Sequence, residues 1–226
     1  RRGAGWVGGV VASNCGARMR ASGTRFGAKT GHQVRLALGS TGKHYAKIRH
    51  GARFDAFFAA DVARPKLLEN EGIALPGSRF TYAIGKLVLW SRQPGMVDAQ
   101  GKILHSGTFR HLAIAHPELA PYGRAAAEVM QARGVWQQLQ TRIVRGENIN
   151  QALHYTYSGN ADLGFVALAQ LKHAPALAEG SFWQPPQALY RPIEQQAVLL
   201  NDHALTQAFA SFMQGSAARA IIHSYG

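Results

Sequence analysis

Two hydroxyl-rich corners, Ser13-Asn14 and Gly39-Ser40-Thr41-Gly42, hold residues of this chain well suited to binding chemistry. The second follows the apolar positions Val34, Leu36 and Leu38 and precedes Tyr45, Ala46 and Ile48 at helical spacing, a strand-turn-helix pattern. The first turn of a helix has N–H groups without intrahelical partners and carries a partial positive charge, so hydroxyls on a glycine-spaced loop there suit an anion. An ordinary Ser or Thr N-cap with no ligand uses the same pattern and is the commoner case. Two further corners have similar character. Pro121-Tyr122-Gly123, just before a helix, sets a phenolic O–H beside free helical N–H groups, although a proline turn with a core tyrosine reads the same way. Asn148-Ile149-Asn150 offers an N-cap and a backbone N–H at the start of another helix.

Catalysis finds less support. There is no G-x-S-x-G elbow, no H-E-x-x-H, no phosphate-binding P-loop and no G-x-G-x-x-G. The ten histidines are dispersed, the pair His111 and His116 has ordinary surface or core explanations, and no acid and base stand paired in the sequence. The chain reads as a binder and not an enzyme.

The elements that would position these corners alternate. Trp6 to Ala12 reads as a strand, Arg18 to Phe26 as a weak helix interrupted by Ser22 and Gly23, and Gln33 to Leu38 as a strand entered after Gly31. Residues 54 to 60 form a short apolar run suited to a buried strand, and Asp61 can cap a helix from Ala63 to Asn70. Strand alternating with helix predicts a mostly parallel, doubly wound sheet, whose ligands sit beyond the carboxyl ends of the strands. Residues 79 to 91 form one long β-prone segment, long enough to pass between lobes. A second series follows: strands at His111 to Ala115, Ile143-Val144 and Ala161 to Leu168, with helices at Arg124 to Arg133 and Ile149 to Tyr157. Glu194 to Leu200 then crosses back, and closing helices cover Ala204 to Met213 and Ala217 to His223. The expected architecture is α/β with two lobes, residues 1–83 plus 196–226 and residues 84–195, joined by two crossover strands that act as a hinge.

At 226 residues and 46% apolar the chain can bury a full core. No window reaches the roughly 18 consecutive apolar residues of a membrane span, and the sequence reads as soluble, as a secreted protein also does once its signal is removed. The lone Cys15 excludes an intramolecular disulfide. A net charge of +13 admits anionic partners, but the basic residues are scattered and no nucleic-acid motif appears, so no nucleic acid is expected. The charge is better suited to drawing in a small anion.

From Thr30 to Gly226 the segments T-G-H-Q-V, G-S-T-G, G-A-R-F-D-A-F-F-A-A-D, L-P-G-S-R-F-T-Y-A-I-G-K-L-V-L-W-S, A-P-Y-G, S-G-N-A-D-L-G-F-V-A-L-A-Q and P-I-E-Q-Q-A-V appear in order. Together they resemble the periplasmic molybdate-binding proteins of ABC transporters, a branch of the type II periplasmic binding proteins. The resemblance implies that a tetrahedral dianion, molybdate and with it tungstate, is held between two lobes by hydroxyls and backbone N–H groups. Motif by motif it assigns Ser13 and Asn14 from V-A-S-N, Thr41 with Ser40 from G-S-T-G, Tyr122 from A-P-Y-G, and Ile149 through its backbone N–H. It implies molybdenum bound only as its oxyanion, with no direct metal ligand and no cofactor, a monomer in the periplasm, and a membrane permease as partner. The alternatives are the same fold binding sulfate or phosphate, and an anion-processing enzyme. Residues 1–29 depart from the pattern: they keep V-A-S-N, but Gly and Arg replace the regular first strand and amphipathic first helix, with Cys15 where an aromatic is usual.

Overall fold

The computed structural model describes residues 5–172, 174–177 and 179–225. The chain begins with strand β1 (Trp6–Ala12), a 3-10 turn (Ser13–Cys15) and helix α1 (Gly16–Thr30). Next come β2 (Gln33–Gly39), α2 (Thr41–Arg49), β3 (Ala56–Phe58), α3 (Ala63–Asn70) and β4 (Phe80–Gly85). The middle of the chain contains β5 (Leu87–Ser91), α4 (Ile103–Ser106), β6 (Leu112–Ala115), α5 (Pro121–Ala132), α6 (Trp136–Leu139), β7 (Ile143–Gly146) and α7 (Ile149–Tyr157). It continues through β8 (Leu163–Ala167), α8 (Leu168–Lys172) and β9 (Ser181–Trp183), and the chain closes with β10 (Ile193–Leu199), α9 (Ala204–Met213) and α10 (Ser216–Ser224). Two compact units result, one of Arg1–Ile84 with Glu194–Gly226, the other of Gly85–Ile193.

The first unit is built on a sheet of order β2-β1-β3-β10-β4. β1 runs parallel to β2, with Ala12 opposite Gly39, and parallel to β3, with Val11 opposite Phe58, while β10 returns antiparallel to β3. Successive side chains of a strand face opposite sides, so Phe57 and Phe58 serve different cores. Phe57 joins Val10, Ile48, Leu68 and Val198 on one side. Phe58 meets Tyr82, Phe80 and Phe209 edge to face at 5.3, 6.5 and 5.8 Å on the other, and Phe26 of α1 packs on Phe209 at 5.2 Å. Burying each such ring contributes about 1.5–3 kcal/mol.

The atypical N-terminus does form the first strand and helix, except that residues 1–4 lie outside the described residues. Sequence reading finds α1 weak because Ser22 and Gly23 dilute its apolar stripe. Packing reverses that reading. Met19, Ser22, Gly23 and Phe26 are all buried, and the small positions let the helix lie close on β2. A Cβ at Gly23 would come to 3.0 Å from Val34, and one at Gly27 to 2.9 Å from the His32 carbonyl oxygen. The helix ends at Gly31, in the left-handed region at φ 76°, whose N–H closes on the Gly27 carbonyl at 2.8 Å.

The second unit has the sheet order β7-β6-β8-β5-β9. β6 is parallel to β7 and β8, and β5 runs antiparallel to β8 and β9. The first sheet thus has a parallel block joined by the antiparallel β10 and the second a parallel block joined by the antiparallel β5, which refines the expectation of a mostly parallel sheet. The segment 79–91 is two strands and not one: β4 belongs to the first sheet and β5 to the second, with Lys86 between them. α5 starts at Pro121, three residues before the sequence reading, because Pro is pre-shaped for the first helical position.

Candidate functional site

Flush strand ends gather the first unit's candidate residues. Because Ala12 sits opposite Gly39 and Val11 opposite Phe58, the residues that follow β1, β2 and β3 emerge at one rim. Ser13 and Asn14 form the corner after β1, Ser40 and Thr41 the corner after β2, and all of these residues are buried. Ser40 is the N-cap of α2, its hydroxyl accepting the Lys43 N–H at 3.2 Å. The Thr41 hydroxyl accepts the N–H of Ala60, the residue just beyond β3, at 3.1 Å. Ala59-Ala60 is therefore a third corner of the same rim, one that sequence reading missed because two alanines have no polar side chain to notice. The strand F-F with small residues after it was the available signal.

Two titratable groups near this rim add no net charge to it, Asp61 through its partner and His44 through burial. Asp61 accepts the Arg64 N–H at 3.1 Å and pairs with the Arg64 guanidinium, so its charge is compensated. His44 is buried, and its Nε2 lies 3.1 Å from the Val11 carbonyl. A carbonyl can only accept, so Nε2 carries the proton. Burial holds the imidazole pKa below its ordinary value, only partly offset by the Val11 contact, and the ring is neutral at neutral pH. In that state it ties α2 to the end of β1 and links the two hydroxyl corners.

In the second unit β6 and β7 also end together, Ala115 opposite Gly146, and the His116 N–H closes on the Gly146 carbonyl at 2.8 Å. Tyr122, in the first turn of α5, is buried. Its neighbour Gly123 allows this placement: a Cβ there would lie 2.1 Å from the Ala115 carbonyl oxygen. Asn148 caps α7 by accepting the Gln151 N–H at 3.0 Å, leaving Ile149 as the first helical residue. Gln170 steadies this terminus by donating to the Ile149 carbonyl at 3.3 Å and to Asn150 Oδ1 at 2.9 Å. The structure thus brings Ser13, Asn14, Ser40 and Thr41 together in one unit, and sets Tyr122 and Ile149 at the starts of helices that follow adjacent strands in the other.

The donors so assembled are hydroxyls, an amide and first-turn N–H groups, and no lysine or arginine is among them. Such a set shares out the charge of an anion without a counter-charge. Among the described residues no group of three or more His, Cys, Asp or Glu stands close enough to hold a metal ion, and no helix is long and apolar enough to cross a membrane.

A two-unit α/β fold with neutral donors at its strand ends is the architecture of a solute carrier, and the family model for bacterial extracellular solute-binding proteins matches residues 9–226. The chain belongs to that family. Within it, the chain is 45% identical over 220 residues to the molybdate-binding protein ModA of Azotobacter vinelandii, covering 96% of this chain and 87% of that protein. It is likewise 45% identical to ModA of Rhodobacter capsulatus, over 99% of this chain and 88% of the relative. The solved periplasmic molybdate-binding protein of Azotobacter vinelandii superposes with a TM-score of 0.93 at 47% identity, over 97% of each chain.

Proposed function

We propose that this chain is the solute-binding component of an ABC transporter, capturing molybdate and also tungstate and delivering the anion to a membrane permease. The near-full-length identity of 45% to two molybdate-binding relatives carries this reading. Relatives of this kind are carriers and not catalysts, and the chain is read the same way. Ser13, Asn14, Ser40 and Thr41 from one unit, with Tyr122 and the Ile149 N–H from the other, are the proposed ligand set. The chain passes between the units twice, at Ile84–Gly85 and at Ile193–Glu194. The working state is a monomer in the periplasm, where the net charge of +13 attracts the dianion.

The chemistry fits a tetrahedral dianion. A permanently charged oxyanion needs donors and no proton bookkeeping, and charge-assisted hydrogen bonds from neutral groups supply them. Thermal unfolding with molybdate, tungstate, sulfate and phosphate in turn tests the proposal. A ligand at about 100 times its dissociation constant adds roughly 2.7 kcal/mol, a rise of a few degrees in Tm. Rises with molybdate and tungstate alone are expected. A rise with sulfate or phosphate in their place would assign the site to another oxyanion, and no rise with any would overturn the binding function.

A further inference from the structure

Behind the first unit's rim, one run of close polar contacts joins its three corners. Asn14 Nδ2 lies 2.7 Å from Gln195 Oε1, and Cys15 Sγ lies 2.7 Å from the same oxygen. The sulfur is also 3.0 Å from the Tyr82 phenol. Tyr82 donates its O–H to the Ala59 carbonyl at 2.8 Å, and the next residue, Ala60, gives its N–H to Thr41. Asn14, Cys15, Tyr82 and Gln195 are all buried.

The direction of each hydrogen bond follows from counting protons. Tyr82 has one, committed to Ala59, so it gives none to Cys15. The Gln195 oxygen beside the sulfur can only accept, and the Asn14 amide also reaches the sulfur. Cys15 is a thiol whose single proton goes to Gln195 Oε1 at 2.7 Å, and burial, which pushes its pKa up against the lowering influence of Arg18, keeps the proton on it. Two donors converge on Gln195 Oε1, while Gln195 Nε2 has no hydrogen-bond partner among the described residues. The two donors at the oxygen thus set the orientation of this amide. In return the oxygen fixes which end of the Asn14 amide is turned toward it: the NH2 group and not the carbonyl.

We infer that Gln195 is a positioning residue for the oxyanion site, anchoring the Asn14 side chain behind the rim with Cys15 as the second donor on the same oxygen. This rests on the proposed ligand set, since it acts through Asn14. Gln195 follows directly on the segment where the chain re-enters the first unit, on β10, far in sequence from the corner it serves. Nothing in its local pattern, P-I-E-Q-Q-A-V, marks it as part of a site.

A double-mutant cycle read by calorimetric titration with sodium molybdate tests this, using the wild-type chain, Asn14→Ala, Gln195→Met and the double variant. Methionine keeps the length of glutamine and removes the acceptor. Gln195→Met is expected to bind molybdate about tenfold more weakly, and to cause no further loss once Asn14 is alanine. Losses that simply multiply, or a Gln195→Met variant that binds like wild type, would overturn the positioning role while leaving the ligand set intact. Unchanged binding by Asn14→Ala would instead overturn the assignment of Asn14 to the site, and this inference with it. If Gln195→Met does not fold, Cys15→Ala repeats the cycle with one donor removed; a loss of about threefold that vanishes on the Asn14→Ala background supports the role, and a multiplicative one overturns it.

Discussion

Thr41 Oγ1 accepts the backbone N–H of Ala60 at 3.1 Å, so its single hydroxyl hydrogen is directed away from that amide. The contact fixes the corner after β2 against the corner after β3 and leaves Thr41 as a donor. Replacing it with valine, which has the same shape, removes the proposed donor to the anion and the acceptor for Ala60 together. Molybdate affinity should fall by about 1.5–3 kcal/mol for the charged hydrogen bond, with a smaller loss of stability for the orphaned N–H. Tyr122→Phe should cost affinity over the same range. Titration calorimetry and unliganded Tm separate the two effects, and unchanged affinity in both variants would place the site elsewhere.

Gly123 lies where the first turn of α5 presses on the end of β6. A Cβ would sit 2.1 Å from the Ala115 carbonyl oxygen and 2.8 Å from the backbone of His116, neither of which can swing aside. Gly123→Ala must shift the helix start, and Tyr122 with it. A stability loss of about 1–3 kcal/mol is expected, with weaker molybdate binding beyond what the lower Tm explains. Wild-type affinity in a folded Gly123→Ala protein would show that Tyr122 does not need its present placement.

Much of this was legible from residue pattern. Trp6 to Ala12, Ala63 to Asn70, Ile149 to Tyr157 and Ala204 to Met213 are elements with the same bounds in the sequence reading and in the structure. Clear stops explain much of that agreement, with Gly72 shortly after α3, Gly159 after α7 and Gly215 after α9. Hydroxyl corners were also visible, since Ser13, Ser40 and Thr41 follow strands directly. What stayed hidden depends on tertiary contact. Ala60 contributes only its backbone, and Gln195 meets Asn14 across 181 positions of sequence. The break at Lys86 hides inside continuous β propensity, because propensity does not say which sheet a strand will join.

The N-terminal helix permits a prediction of unusual sign. Gly to Ala inside a helix normally stabilises by about 1 kcal/mol, because glycine loses more backbone freedom on folding. At Gly27 the added methyl would stand 2.9 Å from the His32 carbonyl oxygen, which belongs to the backbone leading into β2. Gly27→Ala should therefore destabilise, by about 1–3 kcal/mol in urea unfolding. A stabilised variant would show that α1 does not pack so closely on the turn into β2.

His44 makes stability depend on pH in a defined direction. Its pKa is lowered in the folded chain, first by burial, from the ordinary value of 6.5. Between the folded and unfolded pKa values the unfolded chain therefore binds more protons, and stability rises with pH wherever that holds. The contribution is complete above about pH 6.5 and falls away as acid protonates the unfolded imidazole, continuing down to the folded pKa. Protonation in the folded state would bury a charge whose Nδ1 has no partner among the described residues. Replacing His44 with glutamine, which can still donate toward Val11 but cannot titrate, should remove this part of the pH dependence. Urea midpoints measured from pH 5 to 8 should diverge between wild type and His44→Gln only on the acid side, with wild type losing more. Parallel curves across that range would mean that the His44 pKa does not differ between the folded and unfolded chain.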